Sequence, residues 1–386
     1  MKNDIIIIGG GASALMMASL LPKHSTLLIE SNNKIAAKIL ISGGGKCNIT
    51  NTLMDTEYFL GDATFMEHAL KAFDERDLLH WLERQNLFPV LRKESQYFCE
   101  HSAKELVEIF TKEIKKQTVL LGEKVMSVMK RDGYFTVETQ KKKYTARYVV
   151  VASGGLSFPI LGASSIGYEI AKYFGHTIKK TAPALVGFTV QKEQFFFKAL
   201  SGVSTNVAIT VNDVICKGAM LFTHKGLSGP AVLDASLYWE KGRIKIDFLP
   251  DFSWKGLKGS KKQISSLLPL SKRITKAFLL QLELEDKPFY QLTIEELDKL
   301  QLLNHYTFAP AGTFGYSKAE VTKGGICTDE VDGKTFMSKK VERLYFIGEV
   351  LDVTGRLGGY NFQWAFSSAY SCAKAIKNDK SSRKSF

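Results

Sequence analysis

The chain begins with two short apolar segments that flank a glycine turn and a helical pattern. Residues Ile5 to Ile8 are all β-branched, without polar alternation, which is typical of a parallel strand buried on both faces. Gly9 to Gly11 form a turn, Ala14 to Leu21 predict a helix, and Ser25 to Glu30 predict a second buried strand that ends on an acid. A strand, a helix and a strand within about 30 residues are the βαβ unit of a parallel sheet.

The pattern of strands and helices continues to residue 152 and returns near the end of the chain. Helical periodicity and apolar runs predict two helices and three strands: helices over Phe65 to Asn86 and Ser102 to Lys116, and strands over Val119 to Met129, Tyr134 to Thr139 and Tyr148 to Ala152. Leu344 to Ile347 predicts one more buried strand, and Asn361 to Ile376 predicts the last helix, followed by a frayed solvated tail of about ten residues.

The middle of the chain has a different pattern. From about Gly187 the apolar residues alternate with polar ones, as in Thr205 to Val211, which is typical of antiparallel strands. Trp254 to Leu303 is rich in lysine and helical in pattern. The two ends of the chain therefore form one α/β domain, and the middle is inserted into it.

Composition and charge add limits to this picture. At 386 residues the chain is long enough for two or three domains, and its 45% hydrophobic and 24% charged residues are those of a globular protein. The net charge is +13, but lysines outnumber arginines by about four to one and are spread along the chain. Lysines without interleaved aromatic residues indicate a solvated basic surface, so we expect no specific nucleic-acid partner.

The five cysteines are scattered, and none are spaced as a redox pair or a zinc knuckle. This argues for a reducing compartment, and it argues against a dithiol reductase and against a structural metal site. The apolar start is interrupted by glycines and lacks the basic flank of a secretory signal, and it is too short for a membrane span. We therefore expect a cytoplasmic protein that acts on a small molecule.

The strongest local motif joins the first strand to the first helix. Gly9, Gly11 and Ala14 form a G-x-G-x-x-A pattern, in which Gly9 allows the turn, Gly11 lets a diphosphate approach and Ala14 keeps the helix near the sheet. Ala12 and Ser13 supply backbone N–H groups at the helix N-terminus. Glu30 ends the next strand, where a carboxylate accepts hydrogen bonds from a ribose. The alternative is a structural glycine turn, and the register of strand, helix and Glu30 favours dinucleotide binding over it.

The C-terminal segment separates FAD from a nicotinamide nucleotide. A strand ends at Gly348-Glu349, Asp352 follows, and Gly358-Gly359-Tyr360-Asn361 leads into the final helix. A second helix N-terminus at the sheet edge is suited to the diphosphate or the flavin, and a simple nicotinamide dehydrogenase has no need of it. The alternative is a structural loop between strand and helix.

A third glycine-rich element lies between residues 42 and 51. Gly43, Gly44 and Gly45 leave backbone N–H groups accessible, and Lys46 adds a cation, so an anion or a flavin edge fits against them. Asn48 is a candidate hydrogen-bonding partner of the flavin, whereas Cys47 is expected to be a small buried residue. A flexible loop is the alternative.

These elements together resemble the bacterial FAD-dependent oxidoreductases of the aminoacetone-oxidase-like group. The resemblance is carried by six ordered motifs: Ile7 to Ala14, Ser42 to Asn51, Ser153 to Pro159, Leu221 to Pro230, Val321 to Ile326, and Gly348 to Asp352 through Gly358 to Asn361. It implies a Rossmann-like FAD-binding domain in two segments, residues 1–186 and 321–386. The inserted part would be a β-barrel-like domain, residues 187–253 and 304–320, with a helical subdomain at 254–303.

The same resemblance completes the set of expected cofactor-binding residues with Ser31, Lys38, Val125, Ser153 and Gly154. The sequence also departs from the family. Lys46 stands where the family commonly has arginine, which keeps the charge but loses the bidentate geometry. Residues 97–101 differ from the family's usual proline-containing run, and no role is carried over to them.

His224 is the candidate catalytic residue, and two interpretations of it remain open. In one, a loop of the inserted domain closes over the flavin and His224 donates a proton or orients the substrate. In the other, residues 223–230 shape a turn between domains, since a lone histidine is more often structural.

The sequence therefore predicts hydride transfer through noncovalently bound FAD, from a donor such as NAD(P)H to an organic acceptor. The resemblance allows an enone or a small amine as the substrate. Two alternatives are an FAD-containing factor that modifies RNA, suggested by the net charge, and a flavin-binding sensor without turnover. No second G-x-G-x-x-G follows a strand, so a dedicated nicotinamide domain is not expected, and the oligomeric state is left open.

Overall fold

A computed structural model describes residues 2–24, 26–93 and 95–382 of the chain. Ser25, where the second strand was expected to begin, and residues 383–386 of the expected tail lie outside the described residues. The chain divides into two compact units, Met1–Pro183 with Val321–Phe386, and Ala184–Glu320. We call the first the FAD unit, after the cofactor that the sequence predicts, and the second the inserted unit.

The strands are short, and most lie in two sheets of seven strands each. In chain order they are β1 (Lys2–Ile8), β2 (Thr26–Ile29), β3 (Asn48–Asn51), β4 (Phe59–Leu60), β5 (Val90–Arg92), β6 (Gln96–Phe98), β7 (Thr118–Leu120), β8 (Val125–Arg131), β9 (Tyr134–Thr139), β10 (Lys143–Val151), β11 (Ile178–Ala184), β12 (Phe188–Thr189), β13 (Ser204–Val211), β14 (Val214–Thr223), β15 (Gly226–Ser228), β16 (Ile244–Asp247), β17 (Tyr306–Phe308), β18 (Gly312–Thr313), β19 (Val321–Ile326), β20 (Leu344–Phe346) and β21 (Thr354–Gly355).

The helices connect and cover these strands. They are α1 (Ala12–Leu20), α2 (Ala37–Ile41), α3 (Ala63–Ala72), α4 (Glu75–Glu83), α5 (Lys104–Glu113), α6 (Ile166–Tyr173), α7 (Pro230–Tyr238), α8 (Ile264–Leu267), α9 (Lys272–Gln281), α10 (Ile294–Gln301) and α11 (Tyr360–Ser382). Short 3-10 helices include Ser42–Gly45, Ile114–Lys116 and Lys192–Leu200. Each helix in the described part of the chain is too short or too polar to span a lipid bilayer.

The main sheet of the FAD unit has the order β7-β2-β1-β10-β9-β8, with β20 also paired to β10. Strands β7, β2, β1, β10 and β20 are parallel, whereas β8 and β9 are antiparallel. One side of β10 is shared: Lys143–Ala146 pair with β9, and Val149–Val151 pair with β20. Strand β20, from near the C-terminus, thus pairs with β10 on the side opposite to β1, and the α/β fold expected from both chain ends is confirmed.

Two predicted elements are divided by local polar interactions. Asp74 interrupts the helix expected over residues 65–86, because its side chain accepts hydrogen bonds from the backbone N–H groups of Arg76 and Asp77 and caps α4. Val119 to Met129 forms the end of β7 and most of β8 rather than one strand. Between them Gly122 has a φ of +61°, and its N–H donates to Asn32 at 2.8 Å.

The last helix is longer than predicted and continues through residues assigned to the tail. Its buried face includes Trp364, Phe366, Ala369 and Ile376, which join the core beside the main sheet. Gln363 is also fully buried, and its amide donates to the carbonyl of Phe73 at 3.0 Å. Beyond Ile376 the helix is held by polar contacts instead, since Tyr148 donates to Asp379 at 2.5 Å and Lys380 pairs with Asp4 at 2.8 Å.

The inserted unit is built on an antiparallel sheet of order β17-β16-β13-β14-β15-β12-β18. The pairs among the described residues leave β17 and β18 as its two ends, so the ladder does not close into a barrel. Only residues 309–311 join those end strands, and such a link reaches at most about 14 Å. Seven flat strands would be about 29 Å wide, so the sheet must curl strongly.

The core of the inserted unit is aromatic. The rings of Phe197, Phe222, Phe248, Phe278 and Tyr306 pack together with centroids 4.7–6.5 Å apart. Helices α8, α9 and α10 lie between residues 264 and 301, inside the predicted helical segment. This core holds the curled sheet and the helices as one unit.

Candidate functional site

The turn after β1 requires glycine at its first position. Gly9 has a φ of +115°, and a Cβ there would lie 2.5 Å from the carbonyl oxygen of Ala152 at the end of β10. A side chain would therefore push apart the two central parallel strands. Gly9 is a requirement of the fold, and it places the start of α1 at the carboxyl edge of the sheet.

Gly11 differs from Gly9 in its surroundings. Its φ is −87°, and a Cβ built on it meets nothing within 4 Å. It is the N-cap of α1, and no side chain caps the helix. The N–H groups of Ala12, Ser13 and Ala14 thus begin a helix whose end is accessible, which is the arrangement that binds a diphosphate.

Glu30 lies directly beside this turn. It is 8% exposed; one carboxylate oxygen accepts from the N–H of Gly10 at 2.6 Å, and the other accepts from Asn32 N–H at 2.7 Å and from the Ser31 hydroxyl at 3.2 Å. The carboxylate is therefore fixed at the end of β2. Ser31 orients Glu30, and the predicted ribose-binding acid is in register with the glycine turn.

Val125 lies near the same edge of the sheet as Glu30. The N–H of Glu123 donates to the carbonyl of Glu30 at 3.0 Å, and Val125 begins β8 two residues later, 5% exposed. Its position beside the acid agrees with a backbone contact to the cofactor. The role of Val125 itself stays a prediction.

The N-terminus of α11 packs closely on β3. A Cβ on Gly359, whose φ is +95°, would lie 2.6 Å from the carbonyl carbon and oxygen of Thr50. The carbonyl of Gly358 accepts from the Asn51 amide at 2.9 Å. These glycines bring the second helix N-terminus against the strand that follows the Ser42–Gly45 loop.

Tyr360 and Asn361 support this arrangement from within the protein. The Tyr360 ring stacks on Tyr58 with centroids 5.0 Å apart. The Asn361 side chain accepts from Gly355 N–H at 2.9 Å and donates to Gly355 carbonyl at 2.8 Å. Their side chains thus hold the loop before α11, so any contact they make with a cofactor would be through the backbone.

The loop of three glycines has an unusual backbone. Gly43, Gly44 and Gly45 have φ values of +55°, +66° and +84°, and Cys47 has +47°. A Cβ on Gly43 would lie 2.9 Å from Asn48 N, whereas those on Gly44 and Gly45 meet nothing within 4 Å. The second and third glycines are therefore open to a ligand, and Lys46 follows them.

Asn48 and Cys47 have contrasting roles. The Asn48 amide nitrogen donates to Gln96 at 2.8 Å, while its buried carbonyl oxygen has no hydrogen-bond partner among the described residues. Burial raises the pKa of the Cys47 thiol, so it stays protonated and unreactive. An unsatisfied buried amide oxygen is available to a donor such as a flavin N–H.

A further cluster joins three distant segments. Lys38 Nζ lies 2.8 Å from one oxygen of Glu349, whose other oxygen accepts from Thr322 N–H at 2.9 Å. A Cβ on Gly155 would lie 2.6 Å from Thr322 and 3.0 Å from Glu349, and Gly154 has a φ of +70°. Glycine at 154 and 155 is thus needed where β10 ends beside the ion pair.

Gly348 and Ser153 complete this edge. A Cβ on Gly348 would lie 2.7 Å from the Ser13 hydroxyl of α1, and its carbonyl accepts from Trp364 at 3.2 Å. The buried Ser153 hydroxyl has no hydrogen-bond partner among the described residues, and it faces Gly167. The end of β20 therefore lies against the start of α1.

Asp352, an expected cofactor-binding residue, forms an ion pair within the protein. Its carboxylate pairs with Lys179 at 2.7 Å, and this hydrogen bond raises the pKa of Lys179. It is 8% exposed. The structure thus shows Asp352 holding β11, and a direct contact with the cofactor stays a prediction.

His224 belongs to the inserted unit, whereas the residues described above belong to the FAD unit. It occupies an exposed two-residue turn between β14 and β15, and Thr223 closes this turn by accepting from Lys225 and Gly226 N–H groups. This geometry agrees with a turn former. Its catalytic role stays a prediction.

Sequence reasoning missed Thr322 and Gln96 as members of the site. Thr322 donates its N–H to Glu349, and its hydroxyl accepts from Leu156 N–H at 2.8 Å. Gln96 binds Asn48, 48 residues away. Thr322 was inside a recognised motif, but nothing in the sequence near Gln96 indicates its partner.

The residues present fit FAD. Gly11 and Gly44 leave space that a Cβ would fill, α1 begins without a cap, and Asn48 has a buried acceptor to satisfy. Gly9 to Ala14, Glu30 and Gly348 would hold the dinucleotide end, and Gly44 to Asn48 would contact the flavin end. This fold and site define an FAD-binding oxidoreductase with a Rossmann-like domain.

The chain belongs to the family described as the HI0933-like protein Rossmann domain, which matches residues 3–375. It is similar to the ribosomal RNA dihydrouridine synthase of Escherichia coli (strain K12), with 37% identity over 367 residues, 91% of this chain and 92% of the relative. The 3-dehydro-bile acid delta(4,6)-reductase of Clostridium scindens is 29% identical over 370 residues, 88% and 90% of the two chains.

Among solved structures, the fold is similar to that of a mutant of FrdA, an Escherichia coli quinol fumarate reductase. The TM-score is 0.51 at 13% identity, with 99% of this chain and 71% of that chain covered. At this identity the likeness concerns the fold alone. The expectations of FAD as cofactor and of an oxidoreductase are confirmed by the family.

Proposed function

We propose that this FAD-dependent oxidoreductase reduces the C5=C6 double bond of uridine in ribosomal RNA to give dihydrouridine. The observation that carries the proposal is the 37% identity to a ribosomal RNA dihydrouridine synthase, which extends over 91% of this chain and therefore over both units. The open first turn of α1 and the fixed Glu30 support binding of the cofactor that this reaction needs. RNA modification was the second hypothesis from the sequence and here becomes the first.

The chemistry agrees with an enone, one of the two substrates that the family resemblance allows. In uracil the C5=C6 bond is conjugated with the C4 carbonyl, so a hydride adds to C6 and a proton to C5. The name of the bile-acid relative also denotes addition of hydrogen to double bonds, at positions conjugated with a 3-oxo group. Both reactions need one hydride and one proton for each bond reduced.

The chain's own residues have defined tasks in this scheme. FAD, when bound, supplies the relay of a hydride from a donor to the substrate. Gly11 and the first turn of α1 bind the diphosphate, Glu30 accepts from the ribose, and Asn48 accepts a hydrogen bond from the flavin edge. His224 is the proposed source of the proton, and NAD(P)H is the proposed donor.

The test begins with the FAD-loaded protein under anaerobic conditions. NADH and then NADPH are added while the visible spectrum is recorded, and bleaching of the flavin bands identifies the donor. The reduced protein is then mixed with ribosomal RNA transcribed in vitro, which contains no dihydrouridine. We expect the flavin bands to return and dihydrouridine to be found by mass spectrometry in a nuclease digest.

Three other outcomes are informative. If neither nucleotide bleaches the flavin, NAD(P)H is not the donor, and chemical reduction of the flavin allows the RNA step to be tested alone. If the reduced protein leaves the RNA unchanged but is reoxidised by a conjugated steroid ketone, the activity is that of the bile-acid relative. If neither acceptor is reduced, the enone chemistry is wrong.

The conjugated steroid ketone is the second candidate substrate. It is supported by the 29% identity to the bile-acid reductase over 88% of this chain. It shares the bond type with uridine but carries no phosphate. Separate assays of the reduced protein with each acceptor therefore distinguish a substrate that needs phosphate contacts from one that does not.

A further inference from the structure

Charges are separated along the sequence of the inserted unit. Between residues 252 and 282 there are seven cations and no acid: Lys255, Lys258, Lys261, Lys262, Lys272, Arg273 and Lys276. Residues 283–298 then contain six acids and only Lys287. All seven cations are exposed, and no acid lies between them in the sequence.

Helix α9 carries three of these cations in an unusual place. Lys272 and Arg273 occupy its first two positions, where cations oppose the helix dipole, and Lys276 follows one turn later. The opposite face, with Ile274, Phe278 and their neighbours, is buried. The cations at the start of α9 therefore destabilise the helix rather than stabilise it, so the stability of the helix does not explain them.

The Lys192–Leu200 3-10 helix packs beside α9 and extends the positive surface. The Arg273 guanidinium donates to the carbonyl of Ala199, and the Phe196 and Phe278 rings lie 5.5 Å apart. Lys192 and Lys198 on this helix are exposed. We define the basic face as Lys192, Lys198, Lys272, Arg273 and Lys276.

An exposed aromatic ring lies within this face. Phe195 is 44% exposed, and Lys198 Nζ lies 3.5 Å from its ring centre. A ring with a neighbouring cation is the combination on which nucleic-acid bases stack while phosphates are neutralised. The sequence pattern of dispersed lysines did not indicate this pairing.

The cations of the face are not neutralised by the protein. Among the described residues, none of the five forms an ion pair with a carboxylate, although Lys287 pairs with Glu296 at 2.7 Å in the same unit. Glu193 is the one acid on the 3-10 helix. The face therefore keeps most of its positive charge for a partner.

We infer that the basic face binds the phosphate backbone of the RNA substrate and that Phe195 stacks on an unpaired base. The inference rests on the proposed function for the identity of the RNA. It gives the inserted unit a docking surface for the substrate. An anionic membrane is the competing partner for the same charge, and the test includes it.

The experiment compares two quadruple variants of the full FAD-loaded chain. The first is Lys192→Gln, Lys198→Gln, Lys272→Gln and Lys276→Gln, which leaves Arg273 to hold the 3-10 helix. The control is Lys104→Gln, Lys112→Gln, Lys115→Gln and Lys116→Gln, four exposed lysines on α5 and the 3-10 helix after it in the FAD unit. Both variants lose the same charge.

Binding to the in vitro ribosomal RNA transcript is measured at several salt concentrations. Each lost phosphate contact reduces the slope of log K against log salt by about 0.7 to 0.9, so the loss of four contacts should weaken binding roughly 200- to 1,000-fold near 0.15 M salt. The affinity of the control variant should change by less than about threefold. Phe195→Leu should lower the affinity but leave the salt slope unchanged, because the ring carries no charge. Thermal stability and flavin bleaching by the donor should be unaltered in the quadruple variants.

The outcomes separate the two proposals. Equal RNA binding by both quadruple variants overturns the basic face, whether or not dihydrouridine forms. Selective loss of RNA binding supports the face even if no dihydrouridine is made, in which case the proposed function fails alone. An equal loss of binding to vesicles of phosphatidylglycerol and phosphatidylcholine would overturn the assignment of the face to RNA.

Discussion

Gly11 offers a change that should remove the cofactor without harming the fold. Its φ of −87° and ψ of −168° are accessible to alanine, and a Cβ there meets no atom within 4 Å. The added methyl group would project at the uncapped end of α1, where the diphosphate has to approach. Gly11→Ala should therefore give a stable protein that binds FAD poorly.

The expected magnitudes follow from two separate contributions. Alanine in place of glycine at an N-cap costs up to about 1 kcal/mol, and the lower entropy of the unfolded chain returns about 0.4 to 1 kcal/mol. The free energy of unfolding without FAD should then stay within about 1 kcal/mol of wild type. Losing two charge-assisted hydrogen bonds to the diphosphate costs about 3 to 6 kcal/mol, or roughly 10²- to 10⁴-fold in Kd.

The assay is a titration of the apoprotein with FAD, followed by quenching of flavin fluorescence, together with thermal unfolding of the apoprotein. Gly259→Ala is the matched control, because a Cβ there also meets nothing within 4 Å. Gly9→Ala is the opposite case, since its Cβ would lie 2.5 Å from Ala152 oxygen at a φ of +115°. It should destabilise the apoprotein by roughly 2 to 4 kcal/mol.

Two results would refute this reasoning. Gly11→Ala with an FAD affinity within threefold of wild type would show that the diphosphate does not lie against the first turn of α1. A fall in apoprotein stability as large as that of Gly9→Ala would show that Gly11 is required by the fold. In the second case the loss of FAD could not be assigned to the site.

Three further changes test other parts of the structure. Glu30→Gln should weaken FAD binding by roughly tenfold in the same titration, because it removes the charge that accepts from a ribose, and an unchanged Kd would contradict that role. Phe248→Ala should destabilise the inserted unit by about 3 to 5 kcal/mol in denaturant unfolding, because the ring is 1% exposed in the aromatic core; a loss under 1 kcal/mol would contradict this. Burial opposes ionisation of Glu330, but hydrogen bonds from Lys340 and Thr177 outweigh it and lower its pKa to about 2 from 4.5. The stability that Glu330 contributes is complete above pH 4.5 and is lost as the pH falls towards 2. After allowance for solvent screening, the free energy of unfolding of wild type should therefore fall by roughly 1 to 2 kcal/mol more than that of Glu330→Gln between pH 5 and 2.5. Equal losses in the two proteins would exclude this contribution.

Local motifs were predictable from the sequence because their physics is local. The turn at Gly9, the helix after Gly11 and the acid at Glu30 lie within one βαβ unit, so strand, turn and helix constrain one another. The division at Asp74 was also a local signal, since an acid before a helical run is an N-cap, but the continuous apolar periodicity concealed it. The correct prediction of the βαβ unit and the missed helix boundary at Asp74 both concern interactions between residues close in sequence.

Contacts between distant segments could not be predicted in the same way. Lys38 and Glu349 are 311 residues apart, and nothing near either residue specifies the other. The basic face required the packing of the Lys192–Leu200 helix on α9, where Arg273 donates to the carbonyl of Ala199, the residue after Lys198. Composition alone gave a diffuse positive charge, because charge becomes directional only after the chain is folded.

The glycines of the site show why a motif and a mechanism are different kinds of evidence. Gly9 and Gly359 are required because a Cβ would lie only 2.5 and 2.6 Å from backbone atoms. Their presence is therefore explained by the fold and is no evidence for a cofactor. Gly44 and Gly45 have open surroundings but left-handed φ values, and substitution there would mix backbone strain with any loss of ligand contact. Gly11 alone among these five combines an ordinary φ with open space, and for that reason its replacement distinguishes a glycine kept for the cofactor from one kept for the chain.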